Sequence, residues 1–226
     1  MISLTDAIDV YKMNRAYAMM AGINNVVCLY NKSGCKFTRK VCSYIIYGNH
    51  QNRVVYDIGE QDYQKTITSC WKSLTATPSV LTMSFKDFEA LYDEVNKRIG
   101  KLPHIGLLTI YDAALRLGFI LTKPIYPKNK VYIQAGAYKG IKNLQNYNKR
   151  LGLSLFLIPI MGAGPKDISL FAKAFNNLPS IFIEDFLCVY DDKLDKLDKI
   201  SREDLLKGMQ YHRTSRNIKS CYRYSF

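Results

Sequence analysis

The chain has 226 residues, 48% hydrophobic and 23% charged, a balance that excludes a disordered polypeptide and leaves length for one large domain or two small lobes. Lysine and arginine number 32 against 19 aspartates and glutamates, a formal charge of +13 that favours polyanionic partners, nucleic-acid phosphate above all. No apolar run reaches the roughly 18 residues a membrane span needs: LGLSLFLIPIMGAG is shorter and is broken by Pro159, and MISLTDAIDVYK carries acids where a secretory signal is basic and then apolar.

In chain order, Ser3 with Asp6 resembles a capping box ahead of DAIDVYKMNRAYAMMAG, which predicts a first helix stopping at Gly22. Residues 26–58 read differently. VVCLY, KVCSYIIY and RVVYDI are rich in β-formers and separated by KSG and GNHQN, so a small antiparallel sheet is expected near the amino end, within about 23–60. From about residue 62 the helical period returns. Ser84 with Asp87 caps FKDFEALYDEVNKRIG, where Phe85, Phe88, Leu91, Tyr92, Val95 and Ile99 form one apolar face and Gly100 ends the helix. After LPHIG a second helix runs from Leu107 to about Leu117 and stops at Gly118. VYIQAGAYKG then leads into a helix through KNLQNYNKRLG. SLFLIPIM reads as a buried strand or helix segment, Pro165 opens KDISLFAKAFNNL, and Ser201 with Asp204 caps a last helix into Tyr211. The fold class expected is mostly α, an α+β chain whose single small sheet lies near its amino end.

The six cysteines (Cys28, Cys35, Cys42, Cys70, Cys188, Cys221) form no CxxC pair and have no histidine beside them, so they read as buried free thiols of a reducing compartment rather than as zinc ligands or disulfides. A cytoplasmic protein is expected, associated with the nucleoid if it binds DNA, with no metal and no cofactor. His50, His104 and His212 are scattered, and neither a Ser/His/Asp nor an HExxH arrangement occurs.

LPHIG joins two helices. Proline ends the first and glycine lets the backbone turn closely before the second, which exposes free N–H groups of a helix amino terminus where phosphate binds readily. LPHIGLLT also resembles the hairpin of the helix-hairpin-helix DNA glycosylases, the superfamily of endonuclease III and 8-oxoguanine glycosylase, whose pattern is close to LPGxGxxTA. Leu102, Pro103, Gly106 and Thr109 match; His104 stands where the first glycine is usual, and Ile110 replaces alanine. The family's VDTHV-like segment has its counterpart in VYIQA, Val131 to Ala135, about six residues later than usual, and the resemblance spans roughly residues 85–150. It implies one glycosylase-like domain over 1–226, a two-lobe helical fold with a hairpin core at about 85–150, and a base flipped into a cleft. It also implies double-stranded DNA as partner, no membrane, a monomer, and duplex contacts from Pro103, His104, Gly106, Leu107 and Thr109. The lysine of the bifunctional members is Leu108 here, so a lyase using that position is excluded, and the family's aspartate falls on Tyr132.

The function expected is therefore a monofunctional DNA glycosylase, a hydrolase of base-excision repair that releases a damaged or modified base by water attack. The alternatives are a non-catalytic helix-hairpin-helix protein that binds duplex DNA, and a nucleotide-binding protein. Three carboxylates are candidates for the catalytic acid. Asp112 lies on the first turns of the hairpin's second helix, where the dipole favours the anion; its structural alternative is an ion pair with Arg116. Glu184 and Asp185 interrupt the apolar run SIFIEDFLCVYDD, a costly placement unless the acids are paired or used, although one of them could simply face water. AGAYKG offers Gly136, Lys139, Gly140 and Lys142 as a phosphate clamp at a helix start; otherwise the glycines only shape a turn. Gln134 could hydrogen-bond an extruded base, with Tyr132 and Tyr138 stacking on it. The carboxy-terminal stretch YHRTSRNIKSCYRYSF sets Arg213, Arg216, Lys219 and Arg223 among Tyr211, Tyr222, Tyr224 and Phe226 with no acid, a pattern suited to nucleic acid or to a solvated tail.

Overall fold

The computed structural model describes residues 2–156, 160–175 and 178–207, which are mostly helical. The capping box forms: Ser3 Oγ accepts from Asp6 N at 3.1 Å and Asp6 Oδ2 accepts from Ser3 N at 2.9 Å, opening α1 (Leu4–Tyr11). The helix does not stop at Gly22. A π-helical turn, Lys12–Ala16, leads into α2 (Tyr17–Lys32), and among the described residues nothing beyond the helix's own backbone lies within 4 Å of where a Gly22 Cβ would be. The actual stop is a Schellman motif: Cys35 N donates to Tyr30 O (3.1 Å), Gly34 N donates to Asn31 O (3.0 Å), and Gly34 has φ +66°.

The sheet expected over residues 26–58 is absent. Apart from the turn at residues 33–38 the segment is helical: the rest of α2, then α3 (Arg39–Tyr47), a 3-10 turn at Gly48–His50, and α4 (Gln51–Ile58). Thr38 Oγ1 caps α3 by accepting from Val41 N at 3.2 Å. Val41, Cys42, Ile45 and Ile46 then fall on one buried stripe. The β preference of valine and isoleucine is small and context-dependent, and burial of a stripe at helical spacing outweighs it. KSG and GNHQN are helix–helix turns. The described chain's sheet lies elsewhere: β1 (Lys130–Ile133) and β2 (Gly164–Asp167) pair antiparallel, Lys130 opposite Asp167 and Ile133 opposite Gly164.

Packing divides the described residues into two units. One spans residues 21–127. In it α3 packs against α5 (Glu60–Thr75) and α7 (Leu107–Ile120), and α6 (Phe88–Ile99) packs against both α5 and α7. Asp87, rather than Ser84, is the cap of α6, its Oδ1 accepting from Ala90 N at 2.9 Å. Gly118 lies inside α7 instead of ending it. A Cβ there would sit 1.9 Å from Ile125 O, so glycine is what lets residues 121–127 fold back onto the helix, with Ile125 N donating to Gly118 O.

The other unit comprises residues 2–20 and the described residues from 128 onward. Its centre is α10 (Ser180–Val189), whose residues from Ser180 to Leu187 are all buried, as expected of a helix apolar on every side. Against it lie α8 (Ala135–Arg150) and β1. A short helix, α9 (Ala172–Phe175), and α11 (Arg202–Lys207) pack on α1, and Ser201 with Asp204 makes the expected box at the start of α11. Of SLFLIPIM, residues 157–159 lie outside the described residues. The flanking backbone is neither strand nor helix, and α8 amides satisfy it: Gln145 exchanges hydrogen bonds with Ile160 N and O, and Asn148 Oδ1 accepts from Leu155 N.

The approach of α8 to α10 is set by two glycines four residues apart. A Cβ on Gly140 would stand 2.0 Å from Leu187 O, and one on Gly136 2.8 Å from Cys188 Sγ. Gly140→Ala is therefore expected to cost about 1–3 kcal/mol through forced overpacking. Gly22→Ala, a mid-helix site with open space, is expected to gain about 0.5–1 kcal/mol. Urea unfolding of the two variants checks the contrast.

Candidate nucleic-acid interface

The turn between α6 and α7 starts from a satisfied helix end: Gly100 N donates to Asn96 O and Leu102 N to Ile99 O. Ile105 N then donates to Leu102 O at 3.3 Å, closing a four-residue turn with Pro103 second and His104 third. His104 has φ +62°. Proline followed by a left-handed residue is the type II pattern, and it requires glycine or a tolerant residue at the position that the resemblance marks as glycine. Pro103, His104, Gly106 and Leu107 are exposed, Leu107 to 61%, and Thr109 is half-buried.

Gly106 is the N-cap of α7, with extended backbone and no side-chain cap, and the first turn of the helix contains no acid. The first intrahelical acceptor is Gly106 O, which takes Ile110 N at 3.0 Å. The N–H groups of Leu107, Leu108 and Thr109 are thus the orphan donors of an open helix start, at its partially positive end.

The carboxylates are engaged elsewhere. Asp112 Oδ2 accepts from Arg116 Nη2 at 2.7 Å, the ion pair that was its alternative reading. The same guanidinium donates through Nη1 to Ile45 O (2.9 Å) and Ile46 O (3.2 Å), closing the carboxyl end of α3, and it lies 3.0 Å from where a Gly48 Cβ would be. Asp112 orients a helix-capping arginine.

Asp185 is only 9% exposed. Its oxygens accept from Arg15 Nη2 (3.1 Å) and Nε (3.2 Å), and Oδ2 also takes the Tyr11 hydroxyl (2.9 Å). Arg15 sits in the π-helical turn, and the rings of Phe186 and Tyr190 meet Tyr11 edge-on. Burial, and then the charge of Asp185, hold the Tyr11 phenol well above its ordinary pKa, so it remains a hydrogen-bond donor. Glu184, 6% exposed, adds to the negative field at Tyr11. Both acids of IEDF are thus buried, and neither faces water.

AGAYKG does not form an open clamp. Gly136 and Gly140 are spent on the approach of α8 to α10, Lys139 Nζ pairs with Asp191 Oδ2 at 3.2 Å, and Lys142 Nζ lies 4.3 Å above the Tyr138 ring. Tyr132, 2% exposed on β1, and Gln134, the buried N-cap of α8, present no open surface to a base; Tyr138 is half-buried. Arg213, Arg216, Lys219 and Arg223, with the aromatic residues among them, lie outside the described residues. Sequence reading missed Tyr11 and Arg15 as the partners of Asp185, some 170 positions away, and no local pattern marks such a pair.

Among the described residues no His, Cys, Asp and Glu side chains gather into a group of three able to hold a metal ion, and no helix is long and apolar enough to cross a membrane. No family model, curated protein or solved structure matches the chain.

Breaking the buried pair should be expensive because it strands a charge. Asp185→Asn is expected to cost about 3–5 kcal/mol, whereas Arg15→Met with Asp185→Leu, which removes both charges, should recover most of the loss. Equilibrium urea unfolding of the single and double variants measures the difference.

Proposed function

We propose that this chain binds duplex DNA through the turn between α6 and α7, the open amides of Leu107, Leu108 and Thr109 meeting a backbone phosphate. The observation that carries this reading is the exposed, uncapped start of α7: a tight turn, no acid in the first turn, and a chain of charge +13 behind it. It agrees with the resemblance of LPHIGLLT to the helix-hairpin-helix hairpin.

Of the readings that this resemblance opens, binding without base excision has the better support. Excision needs a carboxylate beside the developing sugar cation and a bound water. Asp112 is committed to Arg116, Asp185 to Arg15 and Tyr11, and Glu184 is buried. The position of the family's aspartate holds buried Tyr132. The nucleotide-binding reading loses its support with the two glycines of AGAYKG turned to α10.

Fluorescence anisotropy of a labelled duplex tests the binding. Affinity should fall steeply with salt, each phosphate contact adding about −0.9 to the log–log slope. Gly106→Asp is the diagnostic variant, because no atom obstructs its Cβ and aspartate is a good N-cap. It should leave stability equal or slightly higher while lowering DNA affinity about tenfold or more, since the carboxylate takes the amides and repels phosphate. A variant that binds as tightly as the original chain would remove the hairpin from the interface. Release of a base from modified duplexes would reinstate excision.

A further inference from the structure

The junction of α2 and α3, residues 32–40, carries Lys32 at the end of α2, Lys36 in the loop, and Arg39 and Lys40 at the start of α3, all exposed. From Val10 to Tyr56 the chain contains no aspartate or glutamate. None of the four cations has a carboxylate partner among the described residues. Arg39 and Lys40 occupy the first turn of α3, where the helix dipole is already positive and cations are disfavoured. The loop is nevertheless well formed. It includes the Schellman motif at Gly34, and the Ser33 hydroxyl lies within hydrogen-bond reach of two carbonyls, Tyr30 O (2.6 Å) and Lys36 O (2.7 Å). A preorganised loop that concentrates unneutralised positive charge is a surface suited to a polyanion.

Hydrogen bonds within residues 21–127 place this loop relative to the hairpin. Trp71 Nε1 donates to Phe37 O at 2.6 Å, Cys42 Sγ approaches Ile67 O at 3.9 Å, and Tyr63 Oη donates to Gln51 Oε1 at 3.1 Å. Rising numbers from Phe37 to Gln51 meet falling numbers on α5, so α3 begins at the carboxyl end of α5. That same end receives Arg98, in the last turn of α6, whose Nη1 donates to Ser73 O and Ala76 O at 3.0 Å each. The turn after α6 therefore lies at the end where the basic loop lies. Further along, Arg116 of α7 meets Ile45 O and Ile46 O of α3. Those contacts are about 10 Å along α3 from its start and about 14 Å along α7 from its start, at 1.5 Å per residue. The two helices thus run the same way, and both amino termini open at one end.

We infer that residues 32–40 form a second contact to the duplex phosphate backbone, which acts with the α6–α7 turn as a two-point clamp at one end of this unit. The inference rests on the duplex-binding reading above. Long basic side chains beside an open helix start fit a rigid, evenly charged polyanion, the backbone of a duplex.

The test uses the full chain with Lys32, Lys36, Arg39 and Lys40 all changed to Gln, and a charge-conserving control with Lys32→Arg, Lys36→Arg, Arg39→Lys and Lys40→Arg. Anisotropy with a labelled mixed-sequence duplex is followed between about 50 and 200 mM salt. The neutralised chain should bind about tenfold more weakly or worse, and its log–log slope should shrink by about 2–4, at about 0.9 for each phosphate that the loop no longer neutralises. The control should bind as the original does. Thermal unfolding should show the neutralised chain about as stable as the original, because relief of Arg39 and Lys40 at the start of α3 offsets the loss of Lys32 from the last turn of α2. An unchanged slope in the neutralised chain, with Gly106→Asp still weakening binding, overturns the second contact and leaves the hairpin reading standing. Loss of binding in the control, or equal displacement of the duplex by polyglutamate, also overturns it. An original chain that does not bind duplex DNA removes the hairpin reading and this inference together.

Discussion

The carboxyl end of α5 has to be satisfied, and the unit of residues 21–127 is arranged around that requirement. A helix ends with carbonyls that have no partner of their own. Here Arg98, oriented by Glu94 Oε1 at 2.6 Å, donates to Ser73 O, Ala76 O and Pro78 O. One guanidinium thereby fixes the end of α6 to the end of α5, and with it the turn that follows α6. Two residues before Ser73, Trp71 reaches in the other direction to Phe37 O and fixes the loop before α3. The only tryptophan in the chain is an anchor. Arg116 repeats the device at the carboxyl end of α3, with Asp112 as its orienting acid.

The unit built on α10 answers a different constraint, the burial of charge. Two adjacent acids lie in a helix with no wet face, and the cost of desolvating Asp185 is met by a bidentate arginine and a phenol that stays protonated. Arg15 reaches it from the π-helical turn Lys12–Ala16. Further along α10, Gly136 and Gly140 let the backbone of α8 close directly onto the helix. The glycines that looked like a phosphate cradle are there for contact between backbones.

Much of the helical framework was legible because its signals are local. Ser3 with Asp6 and Ser201 with Asp204 act as written, since a capping box involves residues three apart. Of the apolar face expected on α6, Phe88, Leu91, Val95 and Ile99 are buried as the period requires, whereas Phe85 precedes the helix and Tyr92 is half-buried. The sheet expected near the amino end failed for the opposite reason. Val, Ile and Tyr in KVCSYIIY carry a weak strand preference, and only the presence of α5 and α7 on either side makes one helical face worth burying. Gly22 and Gly118 misled for a related reason. A glycine in a sequence does not say whether it ends a helix, sits idle within it, or makes room for a backbone that arrives from elsewhere.

By itself the sequence determined the mostly helical class, the strong positive charge, and a proline–glycine turn between two helices with the makings of a phosphate contact. Those are properties of composition and of neighbours along the chain. Only the tertiary structure decided that Asp112 belongs to Arg116, that Asp185 belongs to Arg15 and Tyr11, and that the basic loop and the α6–α7 turn share one end of a unit. Each of the last two joins residues dozens of positions apart or more, which no periodicity encodes. The fate of Asp112 rests on the same kind of contact, because its arginine is four residues away yet held in place by the carboxyl end of α3. Side-chain chemistry is written locally, but what a charge is for depends on which backbone or ion the fold brings to it.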